Sequence, residues 1–431
     1  MSLPFENLDT TFEQLLQELP PDYRELAIEF KAFARSRKIK TPEQLLQVVM
    51  SDGGLDAVLR ETAGIFTLLE ERISDTAIHR RLKACGPWVK ALLSRMMDAA
   101  VRPLAEGHLR FLVIDASTVQ SPGATGTDYR VHLAIDLVRL HLVEVKVTNE
   151  HTGEHLSHYA LQDGDVVVVD QGYNQVAMWM DQVDRGVGLV VRYNPHGITL
   201  YDPEGNKIDL ESILSASSAS AQCLPASVRN RHHEQLAGHL HALRLLPAQA
   251  AEARRRARAT ATKKGRQPQA RTLAFAEWVL LWTTLPPEVL STTTIMALYR
   301  VRWQIELVFK RLKSILKMDC LRARKDSTLA EVYLHGKLLY AWIVEKRLRR
   351  RCGRNWNRLD QPRCATPWRI WRLLQRELTT AIQGARHWNL TRWPEALVVL
   401  QERRRRRTLQ TVPERIRQLI TECQARECSN I

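Results

Sequence analysis

Paired cysteines are missing from this chain. Its seven cysteines (positions 85, 223, 320, 352, 364, 423 and 428) form no Cys-x-x-Cys pair, and their number is odd. A disulfide framework and a thiolate zinc site are therefore not expected, and a reducing cytoplasm is the default setting. No apolar run reaches the roughly 18–20 residues that a membrane span needs. The opening MSLPFENLDT also lacks a basic-then-apolar signal pattern. Neither an integral membrane protein nor a secreted one is expected. A G-x-x-x-x-G-K-[ST] loop is absent too, which removes the usual basis for nucleotide hydrolysis. Ser117 and Thr118 offer hydroxyls, but no Ser-His-Asp ordering supports a hydrolase triad. His151, His155 and His158 have helical spacing without a convincing fourth ligand, which reads as exposed histidines rather than zinc.

What the chain has in excess is positive charge. Its 431 residues carry 63 Lys+Arg against 47 Asp+Glu, a formal charge of +16. With 45% hydrophobic and 26% charged residues the composition is that of a globular protein long enough for two or three domains. Such a balance points to a polyanionic partner, nucleic acid first, with solubility as the plainer explanation.

Residues 1–105 read as helical throughout. Thr41-Pro42 is a helix start, and Ser74-Asp75 caps a helix carrying His79, Arg80, Arg81 and Lys83. This permits a helix-turn-helix, as do many small helical bundles. The character changes at LRFLVID (109–115), an apolar run closed by a carboxylate. YRVHLAIDLV (129–138) and LHLVEVKVT (140–148) alternate with period two, and GDVVVVD (164–170) is a second apolar run ending in an acid. GEHLSHYALQ (153–162) fits a short helix, and VGLVVRY (187–193) a further strand. Three strands, helix, buried strand, helix, strand describes a mixed α/β sheet with antiparallel first members. Residues 196–276 fit an insertion of strands and loops, in which the run from Arg254 to Arg266 reads as a solvated linker. Long helical segments are expected at 290–318 and 329–350, and a closing helix from Pro413.

Asp115 and Asp170 each close a buried strand. Neighbouring carboxylates at a sheet edge are partly desolvated and gain from a hard cation; a pair of ions about 3.5–4 Å apart is the arrangement of two-metal phosphoryl transfer. Singly, each is equally well a turn-starting or capping aspartate. On a helical wheel, Tyr299, Arg302, Glu306 and Lys313 fall within an arc of roughly 60°, opposite a stripe of Val301, Ile305, Val308, Leu312 and Ile315. A merely solvated face has little use for Tyr299 and Trp303. Aromatics among Arg, Glu and Lys suit a surface that grips phosphates and stacks on bases.

The tetrad Tyr-x2-Arg-x3-Glu-x6-Lys at 299, 302, 306 and 313 resembles the signature of bacterial insertion-sequence transposases of the "IS-four" type, DDE enzymes with a ribonuclease-H-like core. FLVIDAST, VVVVDQGY and LYRVRWQIELVFKRLKS resemble that family's first-aspartate strand, second-aspartate strand and glutamate helix. The likeness covers about 105–345, with 55 residues from Asp115 to Asp170 and 136 from Asp170 to Glu306. The long second interval matches the family's β-rich insertion. One departure is Gln171, where the family usually carries arginine.

The resemblance implies Asp115, Asp170 and Glu306 as catalytic metal ligands for two Mg²⁺, with Mn²⁺ as a substitute. It implies Tyr299, Arg302 and Lys313 as phosphate-holding residues. Trp278 is implied as the residue that stacks on a flipped base, with Trp282 as its rival, and Trp303 is a further DNA-contacting candidate. The implied organisation is a helical domain at 1–105, an α/β ribonuclease-H-like core at 106–195 and 286–350, a β-rich insertion at 196–285, and a basic helical region at 351–431. The implied partners are double-stranded DNA (terminal inverted repeats and target) and a second copy of the chain, in a bacterial cytoplasm at the nucleoid. The alternatives are a nuclease without strand transfer and an inert DNA-binding relic.

Overall fold

The apolar run after Leu109 becomes β1 (Arg110–Val119), the strand on which the sheet is built. In the computed structural model, which describes residues 11–98, 108–353, 366–384 and 416, β1 pairs antiparallel with β2 (Tyr129–Asp136). β2 in turn pairs antiparallel with β3 (His141–Asn149). On its other side β1 lies parallel to β4 (Asp165–Val169), and β4 parallel to β5 (Gly188–Arg192). The crossover into β4 is a single 3₁₀ turn at Leu156–His158, not the helix expected over 153–162. His155, whose ring accepts from the Ser157 amide, stands in extended conformation and keeps that turn short. From β4 to β5 the chain passes through α7 (Val176–Val183).

Residues 196–285 extend the same sheet. β6 (Leu200–Tyr201), β8 (Ser227–Arg229) and β9 (Gln235–Leu236) form a small separate sheet, while β7 (Ala221–Pro225), β10 (His239–Arg244) and β11 (Trp278–Thr283) join the large one. The resulting eight-stranded order is β3-β2-β1-β4-β5-β11-β10-β7. The segment is not purely strand and loop. It holds α8 (Leu210–Ala216), α10 (Ala270–Phe275) and, as its longest element, the 17-residue α9 (Pro247–Lys263). The Arg-rich run read as a linker is thus a helix. Alanine and arginine are strong helix formers, Pro247 stands at the first helical position, and Glu252 pairs with Arg255 and Arg256 one turn on.

Strand alternation sends side chains to two cores. Phe111, Val113, Val166, Val168, Val190 and Leu281 face one. Leu112, Ile114, Val167, Val169, Val191 and Trp282 face the other. The first core is closed by α11 (Thr292–Val301), α12 (Gln304–Leu316) and the long α13 (Thr328–Cys352). It is continuous with the amino-terminal helices α1 (Phe12–Leu16), α2 (Tyr23–Glu29), α3 (Pro42–Val49), α4 (Leu59–Leu69), α5 (Asp75–Leu82) and α6 (Gly86–Asp98). Thr41 and Ser74 cap α3 and α5 as expected. A further helix, α14 (Pro367–Ile382), buries Trp371 and Leu374 in the same core, and Trp371 donates to Glu345 at 2.9 Å. The helix expected from Pro413 lies outside the described residues.

The expected segment 290–318 is two helices. Backbone bonds from Arg302 to Tyr299 and from Ile305 to Arg302 span three residues instead of four, tightening the chain at Arg302-Trp303. The apolar stripe holds across this break: Val301, Ile305, Val308 and Leu312 are buried, and Ile315 is partly so.

α13 is buried along most of its length by α6, α14 and β3, and a π-helical turn, Met50–Gly54, lies against it backbone to backbone at Gly53 and Gly336. A β-carbon at Gly54 would stand 2.7 Å from the ring of Tyr340, which is itself fully buried. At Gly336 the nearest atoms lie at an ordinary 3.5 Å. Gly54→Ala should therefore lower unfolding free energy by about 1–3 kcal/mol in a denaturant titration, since the ring has nowhere to go. Gly336→Ala should be neutral or mildly stabilising, because alanine is the better helix residue.

Candidate active site

The sheet register determines which acids meet. Between β1 and β4 every pair is offset by the same interval, from Arg110 opposite Asp165 to Val113 opposite Val168. Continued two residues, that offset sets Asp115 level with Asp170, and alternation gives both the face that Phe111 and Val113 share. Between β4 and β5, Val169 lies opposite Val191, so the next step levels Asp170 with Arg192. A row Asp115–Asp170–Arg192 thus crosses the sheet at the carboxyl end of β4 and β5, on the face that α11 and α12 cover.

The break between those helices supplies the cation. Arg302 reaches Asp115 Oδ2 at 3.5 Å through Nη1, and through Nη2 reaches Asp170 Oδ2 at 3.7 Å and Glu306 Oε1 at 2.7 Å. Its Nε is buried and has no partner. Tyr299 donates its hydroxyl to Asp170 Oδ1 at 3.0 Å, and Arg192 Nη1 stands 3.8 Å from the same oxygen. The two aspartates also accept from the next backbone amide, Ala116 at 2.9 Å and Gln171 at 2.8 Å. Glu306, by contrast, leaves 54% of its side chain exposed.

A fourth carboxylate borders the group. Glu154 pairs with Arg130 at 3.7 Å and presses on the backbone of Gly172, where any β-carbon would overlap its carboxylate. Burial raises the Asp115 carboxyl to about 6, Arg302 opposes that rise, and the charges on Glu154 and Asp170 add to it. Burial and the nearby Asp170 charge raise the Tyr299 phenol to about 12, so it remains a donor. Burial works against the Arg302 charge, yet Tyr299 and the three acids hold it above its usual value.

The residues proposed from the sequence separate into three groups. Asp115, Asp170, Glu306, Tyr299 and Arg302 come together. Tyr299 and Arg302, expected to grip phosphates, hold the acids themselves. Lys313 lies two turns further along α12, half-buried, and pairs with no acid among the described residues; Trp303 sits half-buried at the helix break. Trp278 begins β11 at the same end of the sheet, but it is buried in the second core on the opposite face, with the Arg244 guanidinium 5.4 Å from its ring centroid. Trp282 is fully buried, stacked on Trp179 at 5.0 Å, and donates to the Ala226 carbonyl, which makes it a core residue. Arg192 and Glu154 were not singled out from the sequence. For Arg192 a signal existed: it is the charged end of a third apolar strand, level with Asp170. Near Asp170 it supplies the positive charge that Gln171 does not.

Four carboxylates face three arginines, leaving the site negative. Among the described residues no three acidic, histidine or cysteine side chains converge as a ready metal cage, because the guanidinium of Arg302 stands between the acids. In kind and in charge the donors nevertheless fit a hard divalent cation, which takes carboxylate oxygens.

A family model described as the transposase DDE domain matches residues 106–340. The putative transposase InsL for insertion sequence element IS186A of Escherichia coli (strain K12) is 28% identical over 323 residues, 73% of this chain and 87% of that protein. The transposase for insertion sequence element IS421 of Escherichia coli is 28% identical over 324 residues, with the same shares covered. The transposase for insertion sequence element IS231E of Bacillus thuringiensis subsp. finitimus is 23% identical over 374 residues, 77% of this chain and 78% of that protein.

The raised Asp115 carboxyl means that its charge is held at a cost to the fold. At pH 7, Asp115→Asn removes that charge and its repulsion from Asp170 and Glu154. In metal-free protein it should raise the unfolding free energy, by on the order of 1 kcal/mol, in calorimetry or denaturant titration. A loss of stability would mean that the attraction to Arg302 outweighs burial.

Proposed function

The chain belongs to the transposase DDE domain family, and from that premise we propose that it moves an insertion sequence by cutting at terminal inverted repeats and joining the freed ends to target DNA. It is an enzyme acting on DNA, and divalent-metal dependence comes with its family. The finer reading rests on one observation above all: the two strand-end aspartates and the helix glutamate are drawn together by a single arginine at the carboxyl end of the sheet.

In this reading Asp115, Asp170 and Glu306 hold two Mg²⁺, with Mn²⁺ as a substitute, and the bound metal supplies Lewis-acid charge for in-line attack by water or a DNA 3′-hydroxyl. The chain's own groups position the DNA. Arg302 offers a planar fork suited to a phosphate once it releases Glu306, the most exposed of its three partners. Tyr299 orients Asp170 through its hydroxyl. Lys313 and Arg192 offer point charges to the strand on either side of the scissile bond, and Trp303 lies between Arg302 and Glu306 for contact with the same strand. The active complex is a dimer on paired ends, working on chromosomal DNA in the cytoplasm. The gene should accordingly lie between short imperfect inverted repeats flanked by direct target duplications.

Asp115→Ala, Asp170→Ala and Glu306→Ala should each abolish Mg²⁺-dependent cleavage of a labelled end while leaving DNA binding largely intact, because duplex affinity comes from dispersed Lys and Arg contacts. Any one of them cutting at a near wild-type rate removes that residue from the metal-binding set.

We also propose that Trp278 stacks on a base extruded beside the cut. Its position at the end of the sheet that carries Asp170 supports this, although its indole faces the second core. Extrusion costs a few kcal/mol, and an indole face returns roughly 1–3 kcal/mol. If the nicked strand then bends back into a hairpin, which strains the bases beside the cut, Trp278→Ala should nick at close to the normal rate but accumulate nicked ends, with hairpin formation slowed, as read on a denaturing gel. Equal loss of both steps would make Trp278 a core residue alone.

A further inference from the structure

The insertion carries one long element with almost nothing to bury. Of the 17 residues of α9, only Ala250 is buried, and Arg254 Nη1, 2.7 Å from Glu277, ties its early turns to the body. Beyond that tie, Arg255 and Arg256 share Glu252. Arg258, Lys263, Lys264 and Arg266, on the helix and the turn after it, are exposed and make no ion pair among the described residues. Ala250, Ala253, Ala257 and Ala261, spaced three and four residues apart, form a narrow inner stripe that is buried or half-buried, and the exposed Arg255, Arg256, Arg258 and Lys263 spread over the opposite arc. A stripe of alanines alone buries little apolar surface, and with no large apolar side chain on it α9 is no membrane-surface helix.

Its position follows from topology. β5 is antiparallel to β11, and β11 is antiparallel to β10, so β10 runs in the same direction as β1, β4 and β5. The carboxyl ends of these strands therefore share one edge of the sheet. That edge carries Asp170 after β4 and Arg192 at the end of β5, and α9 leaves it three residues after β10 ends at Arg244. β10 stands three strands from β4, about 14 Å at the usual spacing. A 17-residue helix is about 25 Å long, the rise of roughly seven base pairs of duplex.

We propose that α9, with Lys264 and Arg266 beyond it, is a backbone clamp for duplex DNA. It grips phosphates without reading sequence, on DNA that runs from the catalytic edge along the insertion. The inference rests on the transposase reading, since the shared edge matters only if DNA is bound there.

The test compares three full-length proteins on a labelled 30-base-pair duplex of random sequence, with affinity measured from 50 to 300 mM salt (roughly the range over which phosphate binding shows its salt dependence). The quadruple variant Arg258→Gln, Lys263→Gln, Lys264→Gln, Arg266→Gln should reduce the slope of log K against log salt by about 3–4, at about 0.9 for each phosphate no longer neutralised. At 100 mM salt its affinity should fall at least about tenfold. The charge-preserving variant Arg258→Lys, Arg266→Lys should keep the wild-type slope, because phosphate attraction needs charge rather than a fork. An unchanged slope in the quadruple variant, or an equal loss in the charge-preserving one, overturns the clamp and leaves the transposase reading standing. Wild-type protein that binds no duplex at all would overturn the clamp, and cleavage of a labelled end by that same protein shows whether the transposase reading has failed with it.

Discussion

One guanidinium holds this site together. Arg302 lies within 3.7 Å of oxygens from Asp115, Asp170 and Glu306, residues on two strands and a helix. Three carboxylates a few ångströms apart repel one another, and a partly buried group of them would not assemble without a cation. That cation must come from a fixed point, and the tightened turn between α11 and α12 provides one. The turn directs the Arg302 side chain into the face where the aspartates stand and sets Glu306 one turn later within its reach. Docking of α12 on β1 and the partly neutralised acids are thus a single constraint. If the helix packs elsewhere, the aspartates face each other unscreened.

Much of this was legible because sheet geometry is regular. Asp115 and Asp170 are 55 residues apart, and 55 is also the register offset between β1 and β4, so two apolar runs each ending in an acid already implied a level pair. The wheel of residues 299–313 identified the correct face and apolar stripe. It could not say what the polar face meets, because a wheel gives a direction and not a partner. It therefore pointed to Arg302 as a phosphate ligand without showing that the same guanidinium lies against the three acids. The insertion was harder to read. Its strands include pairs of only two residues, too short for any period to show. Its arginine run resembled a linker because charge density suggests solvent, and solvent exposure is compatible with a helix held by alanine propensity and Glu252 pairs. Trp278 and Trp282 could not be separated by spacing, since both point to the second core; burial, stacking and a satisfied indole N–H distinguish Trp282.

The replacement of the usual arginine by Gln171 carries the same lesson in reverse. Sequence neighbours of Asp170 suggest a lost charge, yet the relevant neighbours of a strand end are lateral. Arg192, 22 residues on, stands on the adjoining strand at the same level and points a guanidinium at Asp170 Oδ1. A local motif is one way to set charge beside an acid, and sheet register is another.

The distribution of charge also separates affinity from chemistry. The chain as a whole carries +16, but the end of the sheet with Asp115 and Asp170 holds four carboxylates against three arginines. A DNA strand is attracted by the whole molecule and repelled at the point where it must react. The positive potential resides in elements such as α9, whose Arg258 and Lys263 are exposed and make no ion pair among the described residues; at the end of α13, by contrast, Arg350 and Arg351 are paired with Glu18 and Glu377. Exposed cations act over roughly a Debye length and need no precise geometry. The last few ångströms are different. In the proposed reading, a divalent cation on the acids, or release of Arg302 from Glu306 towards a phosphate, would make the site tolerable to a polyanion. On that same reading, a cation held by the acids would admit the scissile phosphate while leaving the grip on the rest of the duplex untouched. Long-range attraction would thus fall to exposed cations such as those of α9, and the chemistry to the acids that Arg302 holds together.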